Sequence, residues 1–360
     1  MIKILSLTYK NNDSGGPYKV SIDYKKILDK SYFYVKLLSL SNNFYYHYIF
    51  NKKKIKEFVN KFDAIHNHNF FSLKNLLITK IAQSLAIPCI YTLHGNLNKW
   101  SMGKNFLKKY FFLVFFKKTI NSISLIHFLN ETEKIEASKL INLNKIKYTI
   151  QQNCIDVSQY KITRNNNSVF KILFFGRLDE KKNFLMIPDI ASIFKTNHIK
   201  DVKFIIVGSS TTKNFNKLKN KIKKLKLESF IEIRNSINTI EQKNTLFEEI
   251  DAFILPSKDE ADSIAIKESL ASGKPVIISK ECKLNSDESC HDFIRIINDN
   301  LDQSYYEEII KLYNKRDELK FLSQKIQQYA QTNFSIDLIN KKLPSIYLNC
   351  IKHTHVLKNW

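Results

Sequence analysis

The sequence lacks the features that mark membrane-spanning and secreted proteins. No apolar run approaches the roughly 20 residues that a helix needs to cross a bilayer. The apolar start at residues 1–7 is too short for a secretory signal and has no small-residue cleavage site, so we predict a first strand there. The five cysteines include no Cys-x-x-Cys pair, which argues against a disulfide framework and a zinc site. A reducing cytoplasm is the expected compartment.

Glycine is also scarce, with seven among 360 residues. No Gly-x-Gly-x-x-Gly follows any predicted strand, which disfavours a dinucleotide-dependent oxidoreductase. His66 and His68 face one side of a predicted strand, but no third metal ligand accompanies them. We therefore expect no metal site and no cofactor.

Positive charge is abundant and unevenly placed. The net charge is +23. Residues 1–165 hold 26 basic and 9 acidic residues (+17), whereas residues 166–360 hold 31 and 25 (+6). A lysine-rich composition alone would raise the charge everywhere and does not explain this difference. Two kinds of partner fit it, a nucleic-acid backbone or an anionic membrane surface.

Short apolar strands alternate with helical stretches, in two successive series. The first series is predicted near 2–9, 32–40, 63–67, 89–94, 123–128 and 146–152, with helices such as 72–86 and 104–119. The second series is predicted at 170–176, 202–208, 230–234, 251–256, 275–279 and 293–297. Apolar strands separated by helices indicate parallel sheets covered on both faces, with ligands at the carboxyl ends of the strands.

This pattern predicts the domain organisation. A polar stretch at 164–168 suits a linker between domains at 1–165 and 166–334. Residues 335–360 are predicted to form a helix that crosses back to the first domain. The expected fold class is α/β, with two Rossmann-like doubly wound domains facing each other across a cleft.

The segment at 256–276 carries the most chemistry. A helix that starts near Ser263 would direct free N–H groups and its positive dipole end toward an anion such as a diphosphate. Glu260 precedes this helix and Glu268 lies within it, with seven residues between them. Carboxylates accept hydrogen bonds from the vicinal hydroxyls of a sugar or a ribose. The alternative is a pair of ordinary surface acids around a capped helix.

This segment resembles the signature of the retaining GT-B glycosyltransferases of family 4, in which Ala-x-Gly-x-Pro-Val follows the second glutamate. The resemblance covers nearly the whole chain. Residues 174–183 resemble a Gly-Arg-Leu…Lys segment that holds the donor diphosphate, which implies that role for Arg177 and Lys182. Residues 206–208 resemble the turn beside the nucleotide, and 153–156 the Asn-Gly-Ile-Asp hinge.

The first half contributes three further matches. Gly15-Gly16 resembles the glycine loop after the first strand, residues 92–95 the segment with the active-site histidine, and residues 130–133 a Ser-x-x-Glu segment. The resemblance implies two sets of site residues. The catalytic set is His94, Glu260, Arg177 and Lys182. The donor-binding set is Gly15, Gly16, Gly208, Asp262, Ser263, Ile264 and Glu268.

The alternatives for single residues stay open. Arg177 could instead form a salt bridge with Asp179, and His94 could be a loop histidine with satisfied hydrogen bonds. Three departures from the family pattern stand out. Ala261-Asp262-Ser263 replaces Gly-Phe-Gly and brings a negative charge near the diphosphate, Cys154 replaces the hinge glycine, and Ser209-Ser210 replaces a glycine-rich turn.

The expected chemistry follows from the bond that breaks. Glycosyl transfer passes through an oxocarbenium-like transition state while negative charge grows on the departing diphosphate. A guanidinium and an ammonium can stabilise that charge in place of a divalent metal. The sequence contains no Asp-x-Asp, the carboxylate pair commonly used to hold such a metal. We therefore predict metal-independent transfer.

An apolar block at Lys104–Lys118 is bracketed by lysine pairs. It is too short to span a membrane but suits an interfacial helix on anionic lipid, or alternatively a buried core helix with lysines at its ends. In this fold the first domain generally receives the acceptor, so a lipid-linked sugar is one hypothesis. Peripheral attachment to the inner face of the cell membrane is a further hypothesis.

The predicted function is transfer of a sugar from a nucleotide-sugar to a glycan or lipid-linked glycan, and a UDP- or GDP-sugar is favoured over an ADP-sugar as the donor. The expected pathway class is synthesis of surface polysaccharide or glycolipid. Three alternatives remain: a basic nucleic-acid-binding protein, a sugar-nucleotide epimerase on the same fold, and a degenerate transferase that only binds. No nucleic-acid partner is expected, because no recognition helix, zinc module or aromatic RNA platform is recognisable.

Overall fold

The chain forms two compact units. The computed structural model describes residues 1–8, 16–40, 43–162, 168–284, 290–340 and 342–356. The first unit comprises Met1–Asn153 and Asp337–Trp360, and the second comprises Cys154–Ile336. The predicted boundary at 165/166 and residues 164–167 of the predicted linker lie outside the described residues. Residues from Cys154 onward belong to the second unit because Ile155 N–H donates to the carbonyl of Phe334.

The first unit is built on six parallel strands in the order β2-β1-β3-β4-β5-β6. The strands are β1 (Ile2–Leu7), β2 (Phe33–Leu38), β3 (Ala64–Asn67), β4 (Cys89–Thr92), β5 (Leu125–Phe128) and β6 (Lys147–Ile150). The helices around it are α1 (Gly16–Asp29), α2 (Phe44–Phe50), α3 (Lys52–Val59), α4 (Leu73–Ser84), α5 (Lys99–Gly103), α6 (Phe106–Phe115), α7 (Lys117–Asn121) and α8 (Glu131–Ser138).

Local sequence explains where these elements lie. Every residue of β3 and β4 is buried, as expected for strands covered on both faces. Ser72 caps α4 by accepting a hydrogen bond from the N–H of Asn75, and Asn130 caps α8 in the same way.

The predicted helix over 104–119 is in fact two helices. The chain leaves helical geometry at Phe116 and begins α7 at Lys117. Phe112, Leu113 and Phe116 pack against the core of the unit. The break allows the chain to keep these three side chains inward. The other side chains of α6 are exposed, except that of Lys109, which bonds to Ser101.

The second unit contains six parallel strands in the order β12-β11-β10-β7-β8-β9. They are β7 (Phe170–Phe175), β8 (Val202–Val207), β9 (Ile231–Arg234), β10 (Ala252–Leu255), β11 (Val276–Ser279) and β12 (Ile294–Ile297). The helices are α9 (Met186–Thr196), α10 (Thr212–Leu225), α11 (Ile240–Glu249), α12 (Ile264–Ala271), α13 (Asp302–Asn314) and α14 (Arg316–Phe334). The strand order reverses between β7 and β10, which is where doubly wound sheets bind ligands.

The end of the chain belongs to the first unit. It forms α15 (Asp337–Asn340) and α16 (Lys342–Val356), and α16 packs against α1. Tyr347 of α16 is fully buried and hydrogen-bonded to His66 of β3. Across the ranges described above, no helix combines the length and the apolar character needed to cross a membrane.

Candidate active site

The carboxyl ends of β7 and β8 approach each other closely at two glycines. A Cβ atom on Gly208 would lie 1.8 Å from the carbonyl oxygen of Gly176. That distance is far inside van der Waals contact, so only glycine fits at position 208. Gly208 therefore shapes the turn from which the neighbouring site residues project.

Lys182 and Glu260 form the centre of the site in the second unit. Asp179 caps a single helical turn at Glu180–Lys182 by accepting a hydrogen bond of 3.0 Å from the Lys182 N–H. The Lys182 ammonium then lies 2.8 Å from Glu260 Oε1. Ser257 donates its hydroxyl to the same oxygen at 2.8 Å. The structure thus brings together two of the predicted catalytic residues, one after β7 and the other after β10.

Arg177 lies in the same loop but is held more loosely. Its guanidinium is 3.3 Å from Asp179 Oδ2, so the alternative salt bridge named above is present. The Arg177 side chain is nevertheless 60% exposed. An exposed ion pair contributes little stability, so an anionic ligand can compete with Asp179 for the guanidinium.

The amino end of α12 follows three residues after Glu260, the ion-pair partner of Lys182. Ser263 occupies the cap position without a side-chain capping bond, and Ile264 is the first helical residue. Among the described residues, the buried Ser263 hydroxyl has no hydrogen-bond partner. Free helix amides and an unused hydroxyl are what an anion would bind.

Asp262 does not carry the exposed negative charge that the sequence suggested. Its carboxylate lies 2.6 Å from the ammonium of Lys267, whose side chain is fully buried. The pair is internal to the loop and helix, and it neutralises Asp262 next to the amino end of α12. The replacement of Gly-Phe-Gly is thus balanced by a lysine that sequence reasoning missed.

Glu268 is 1% exposed and belongs to a further ion pair. It accepts hydrogen bonds from the Tyr160 hydroxyl at 2.8 Å and from the Lys243 ammonium at 2.6 Å. Tyr160 and Lys243 were not predicted as site residues, because they come from distant parts of the sequence. They hold the Glu268 carboxylate in one position.

Two other departures from the family pattern are accommodated by the backbone. Cys154 is absent from the described non-glycine residues with positive φ, so the loss of a glycine there causes no strain. The Ser209 carbonyl accepts a hydrogen bond of 2.8 Å from the Leu178 N–H, which ties the serine turn to the loop that carries Arg177.

His94 follows β4 in the first unit and is fixed by its neighbours. Its backbone adopts a left-handed conformation with φ of 49°. Its Nε2 atom is 3.0 Å from Nδ1 of His68, which follows β3. Sequence reasoning placed His66 and His68 on one side of a strand, and their ring centroids are 4.1 Å apart.

The histidines belong to a larger buried network. Thr92 Oγ1 is hydrogen-bonded to His66 Nε2 at 2.8 Å and to His127 Nδ1 at 3.0 Å. His127, which sequence reasoning missed, is also bonded to the Gln151 carbonyl at 2.7 Å. In the parts of the chain that the structure covers, no group of three or more His, Cys, Asp or Glu side chains could hold a metal ion.

Burial keeps these imidazoles neutral. It lowers the pKa of His66, His68 and His94 well below the usual value of 6.5, and neighbouring imidazoles lower it further. Burial also lowers the pKa of His127 to about 4, although its bond to the Gln151 carbonyl acts in the opposite direction. The first unit therefore presents a neutral imidazole at His94 near pH 7.

Glu133 fixes the loop that carries His94. Its buried carboxylate accepts one hydrogen bond from the Gly95 N–H at 2.5 Å and another from the Leu129 N–H at 2.7 Å. It therefore joins the loops that follow β4 and β5. Gly16, by contrast, begins α1 with open space where a Cβ would be, and Gly15 lies outside the described residues.

The fold and the cationic site at the strand ends are those of a transferase with two Rossmann-like units. Residues 158–332 match the family Glycosyl transferases group 1, and residues 21–159 match Glycosyltransferase Family 4. The chain belongs to the GT-B glycosyltransferases of family 4.

One curated relative from Escherichia coli is named UDP-Gal:alpha-D-GlcNAc-diphosphoundecaprenol alpha-1,3-galactosyltransferase. It is 29% identical over 239 residues, which cover 61% of this chain and 58% of the relative. The matched region thus spans little more than half the length of that protein.

Solved structures show the same fold along almost the whole chain. HepE from Anabaena, crystallised in complex with UDP and glucose, is 16% identical and has a TM-score of 0.78 over 97% of this chain and 100% of its own. A glycosyltransferase from Rickettsia africae is 19% identical, with a TM-score of 0.72 over 98% of this chain and 99% of its own.

Proposed function

We propose that this protein transfers a sugar from a nucleotide-sugar donor to a glycan or lipid-linked glycan. The observation that carries the proposal is the arrangement around Lys182 in the second unit. The Lys182 ammonium bonds to the Glu260 carboxylate, and the exposed Arg177 lies in the same loop as Lys182. The amino end of α12, with its unused Ser263 hydroxyl, follows three residues after Glu260 in the chain. These groups suit a ligand with an anionic part and a hydroxyl-rich part, as a nucleotide-sugar has.

The proposed roles follow from the charge of each group. Lys182 and Arg177 would stabilise the negative charge that grows on the departing diphosphate, and the first amides of α12 would bind its oxygens. Glu260 would accept hydrogen bonds from hydroxyls of the transferred sugar, and Glu268 from the ribose. His94, held neutral, would donate or accept a hydrogen bond at the sugar.

The same cations support a reaction that needs no divalent metal. Activity that persists in excess EDTA is the expected result, and activity that returns only when Mg²⁺ or Mn²⁺ is added would overturn this part. Membership of family 4 supports retention at the anomeric carbon. NMR of the product distinguishes the two anomers, and an inverted product would contradict retention.

The names of two similar proteins support a UDP-sugar as donor. The Escherichia coli relative is named for UDP-Gal, and HepE was crystallised with UDP. We expect UDP or UDP-galactose to raise the melting temperature of the protein more than GDP- or ADP-sugars do.

Glu268→Gln should raise the apparent Kd for UDP, obtained from the melting-temperature shift, about tenfold, because a neutral amide accepts weaker hydrogen bonds from the ribose.

Tyr160→Phe is the matched control, since it removes a partner of Glu268 while leaving the carboxylate in place. Equal loss in both variants would mean that the Glu268 cluster acts only through folding. No response to any nucleotide, with tight salt-dependent binding to DNA, would favour the nucleic-acid alternative. Turnover of the UDP-sugar to its epimer without an acceptor would favour an epimerase.

The relative's name also supports a lipid-linked acceptor with a diphosphate. Transfer of labelled galactose from UDP-galactose to GlcNAc-diphosphate-lipid is the direct test, with free GlcNAc as the comparison. An acceptor of this kind resides in a membrane, so we propose that the protein works at an anionic membrane surface through the Lys104–Lys118 region. Its basic residues and the outward face of α6 support that proposal.

A further inference from the structure

Helix α6 carries its apolar face on the outside of the first unit. An ordinary surface helix turns its apolar stripe toward the core and its polar side chains toward water. Here the outward stripe follows the spacing i, i+1, i+4, i+5, i+8, i+9, and each of its members is between 50% and 77% exposed: Phe106, Leu107, Tyr110, Phe111, Val114 and Phe115. Contiguous exposed apolar surface of this kind marks an interaction site.

Helix α2 repeats the same arrangement in a part of the chain to which the sequence assigned no role. Its exposed side chains follow the spacing i, i+1, i+4, i+5, and they are Tyr45, Tyr46, Ile49 and Phe50. Phe44 is buried and anchors the helix to the core. The two helices thus expose apolar stripes with identical spacing.

Segment 71–74, at the start of α4, contacts both of these helices. The Lys74 ammonium lies 6.0 Å from the centre of the Tyr45 ring on α2. On the other side, the Phe71 ring is 5.4 Å from the Phe112 ring of α6 and 5.0 Å from the Lys109 ammonium. Segment 71–74 therefore lies against both helices, and its Leu73 is a further exposed apolar side chain.

The charge around this surface has one sign. Residues 30–130 contain 15 lysines but only two acidic residues, Glu57 and Asp63. No acidic residue occurs from 64 to 130. Aromatic side chains surrounded by lysines complement the headgroup region of an anionic bilayer, where the rings enter the interface and the ammoniums meet lipid phosphates. A protein partner would need an equally one-sided acidic surface.

We propose that α2 and α6, with segment 71–74 between them, form one two-helix surface that lies in the interface of an anionic bilayer. The inference rests on the membrane attachment proposed above and extends it from one helix to two. Segment 71–74 follows the carboxyl end of β3, close in sequence to His68. A membrane bound at the two-helix surface would thus lie at the same edge of the sheet as His68 and its partner His94.

Flotation of the full-length protein with vesicles tests the proposal. The comparison is between phosphatidylcholine vesicles and vesicles in which about one lipid in three is the anionic phosphatidylglycerol. The variant Tyr46→Ser/Phe50→Ser alters α2, and Phe111→Ser/Phe115→Ser alters α6. The matched control is Phe321→Ser on α14 of the second unit, because Phe321 is 82% exposed and lies far along the chain from the surface.

We expect the unaltered protein and the Phe321 variant to float with anionic vesicles, with binding that weakens as salt rises. Each double variant should bind about tenfold or more weakly, because each removes two aromatic rings from the interface. Full binding by the α2 variant with loss in the α6 variant would overturn the two-helix surface. Equal binding of all variants, or none by the unaltered protein, would overturn it as well.

Two further measurements separate this proposal from the proposed function. The double variants should keep the melting-temperature response to UDP and the transfer of sugar to a detergent-dispersed acceptor, which shows that they fold and that the transfer site is intact. If the unaltered protein showed neither the melting-temperature response to UDP nor transfer of sugar, the proposed function would be contradicted and the membrane proposal would not. Light scattering that shows a dimer, abolished by the α2 variant, would assign the surface to a second copy and overturn the membrane proposal.

Discussion

The two units place different kinds of chemistry at the carboxyl ends of similar sheets. The second unit gathers ion pairs, with Lys182 on Glu260, Lys243 on Glu268 and Lys267 on Asp262. The first unit gathers buried imidazoles, which lack charge because burial lowers their pKa. An anionic ligand can replace a carboxylate as the partner of a lysine. A neutral hydrogen-bonding group, in contrast, can contact the reacting atoms without attracting the diphosphate. The difference supports the roles proposed above, which are donor binding for the second unit and contact with the sugar for the first.

The largest effect is expected from removing the central lysine. Lys182→Ala should lower kcat/KM by about 10²- to 10³-fold, since it removes a cation that meets charge developing in the transition state. Steady-state kinetics with the UDP-sugar provide the measurement. Lys181→Ala is the matched control, because Lys181 is adjacent and pairs with Asp259 at 3.1 Å. If both variants lost activity equally, Lys182 would have no special role.

A smaller effect is expected from removing the neutral imidazole of His94 in the first unit. His94→Ala should lower kcat about 10- to 100-fold while leaving the melting-temperature response to UDP unchanged, because His94 is assigned to the sugar and not to the nucleotide. Nucleotide titrations and single-turnover assays distinguish the two. Loss of UDP binding in this variant would break the division of labour between the units.

A backbone substitution tests how far the second unit depends on its close strand ends. Gly208→Ala should destabilise this unit by about 1–3 kcal/mol, because the added methyl group must push the Gly176 carbonyl away. Urea unfolding measures the change, and weaker UDP binding should accompany it. Gly16→Ala is the control, since a methyl group there meets open space. Equal stability of the two variants would contradict the steric argument.

The two units should also respond to acid in different pH ranges. The pKa of His127 is about 4 in the folded unit against an ordinary 6.5. Above pH 6.5 the imidazole is neutral in both the folded and the unfolded state. Between pH 6.5 and about 4 it is protonated in the unfolded chain but not in the folded unit, so the stability of the unit decreases as the pH falls through that range. In the second unit, hydrogen bonds from Arg234 and then Lys203 lower the pKa of Glu232 to about 2, so its contribution is lost only as the pH falls from 4.5 toward 2.

Hydrogen–deuterium exchange at pH 7.5 and 5.5, corrected for intrinsic rates, measures this difference peptide by peptide. We expect β3, β4 and β5 to lose protection at pH 5.5 while β7 and β8 keep it. His127→Gln should reduce the loss in the first unit. Uniform loss in both units would show that the buried imidazoles do not set the acid sensitivity.

Sequence reasoning located the strands, because buried parallel strands appear as short apolar runs between helices. It could not identify the partners of the site residues. Tyr160 and Glu268 are 108 positions apart, and His127 meets Thr92 across 35 positions. Such contacts depend on how neighbouring strands align, which a single sequence does not encode locally. The break at Phe116 was missed for a related reason, since α6 and α7 differ in which side chains the core receives.

His94 shows what the fold accomplishes before any substrate arrives. A left-handed backbone at a residue with a side chain is uncommon, and here the hydrogen bonds of Glu133 to Gly95 and Leu129 hold the loop in place. The conformational entropy of this loop is therefore lost while the chain folds. A substrate that binds at His94 would not have to order the loop again.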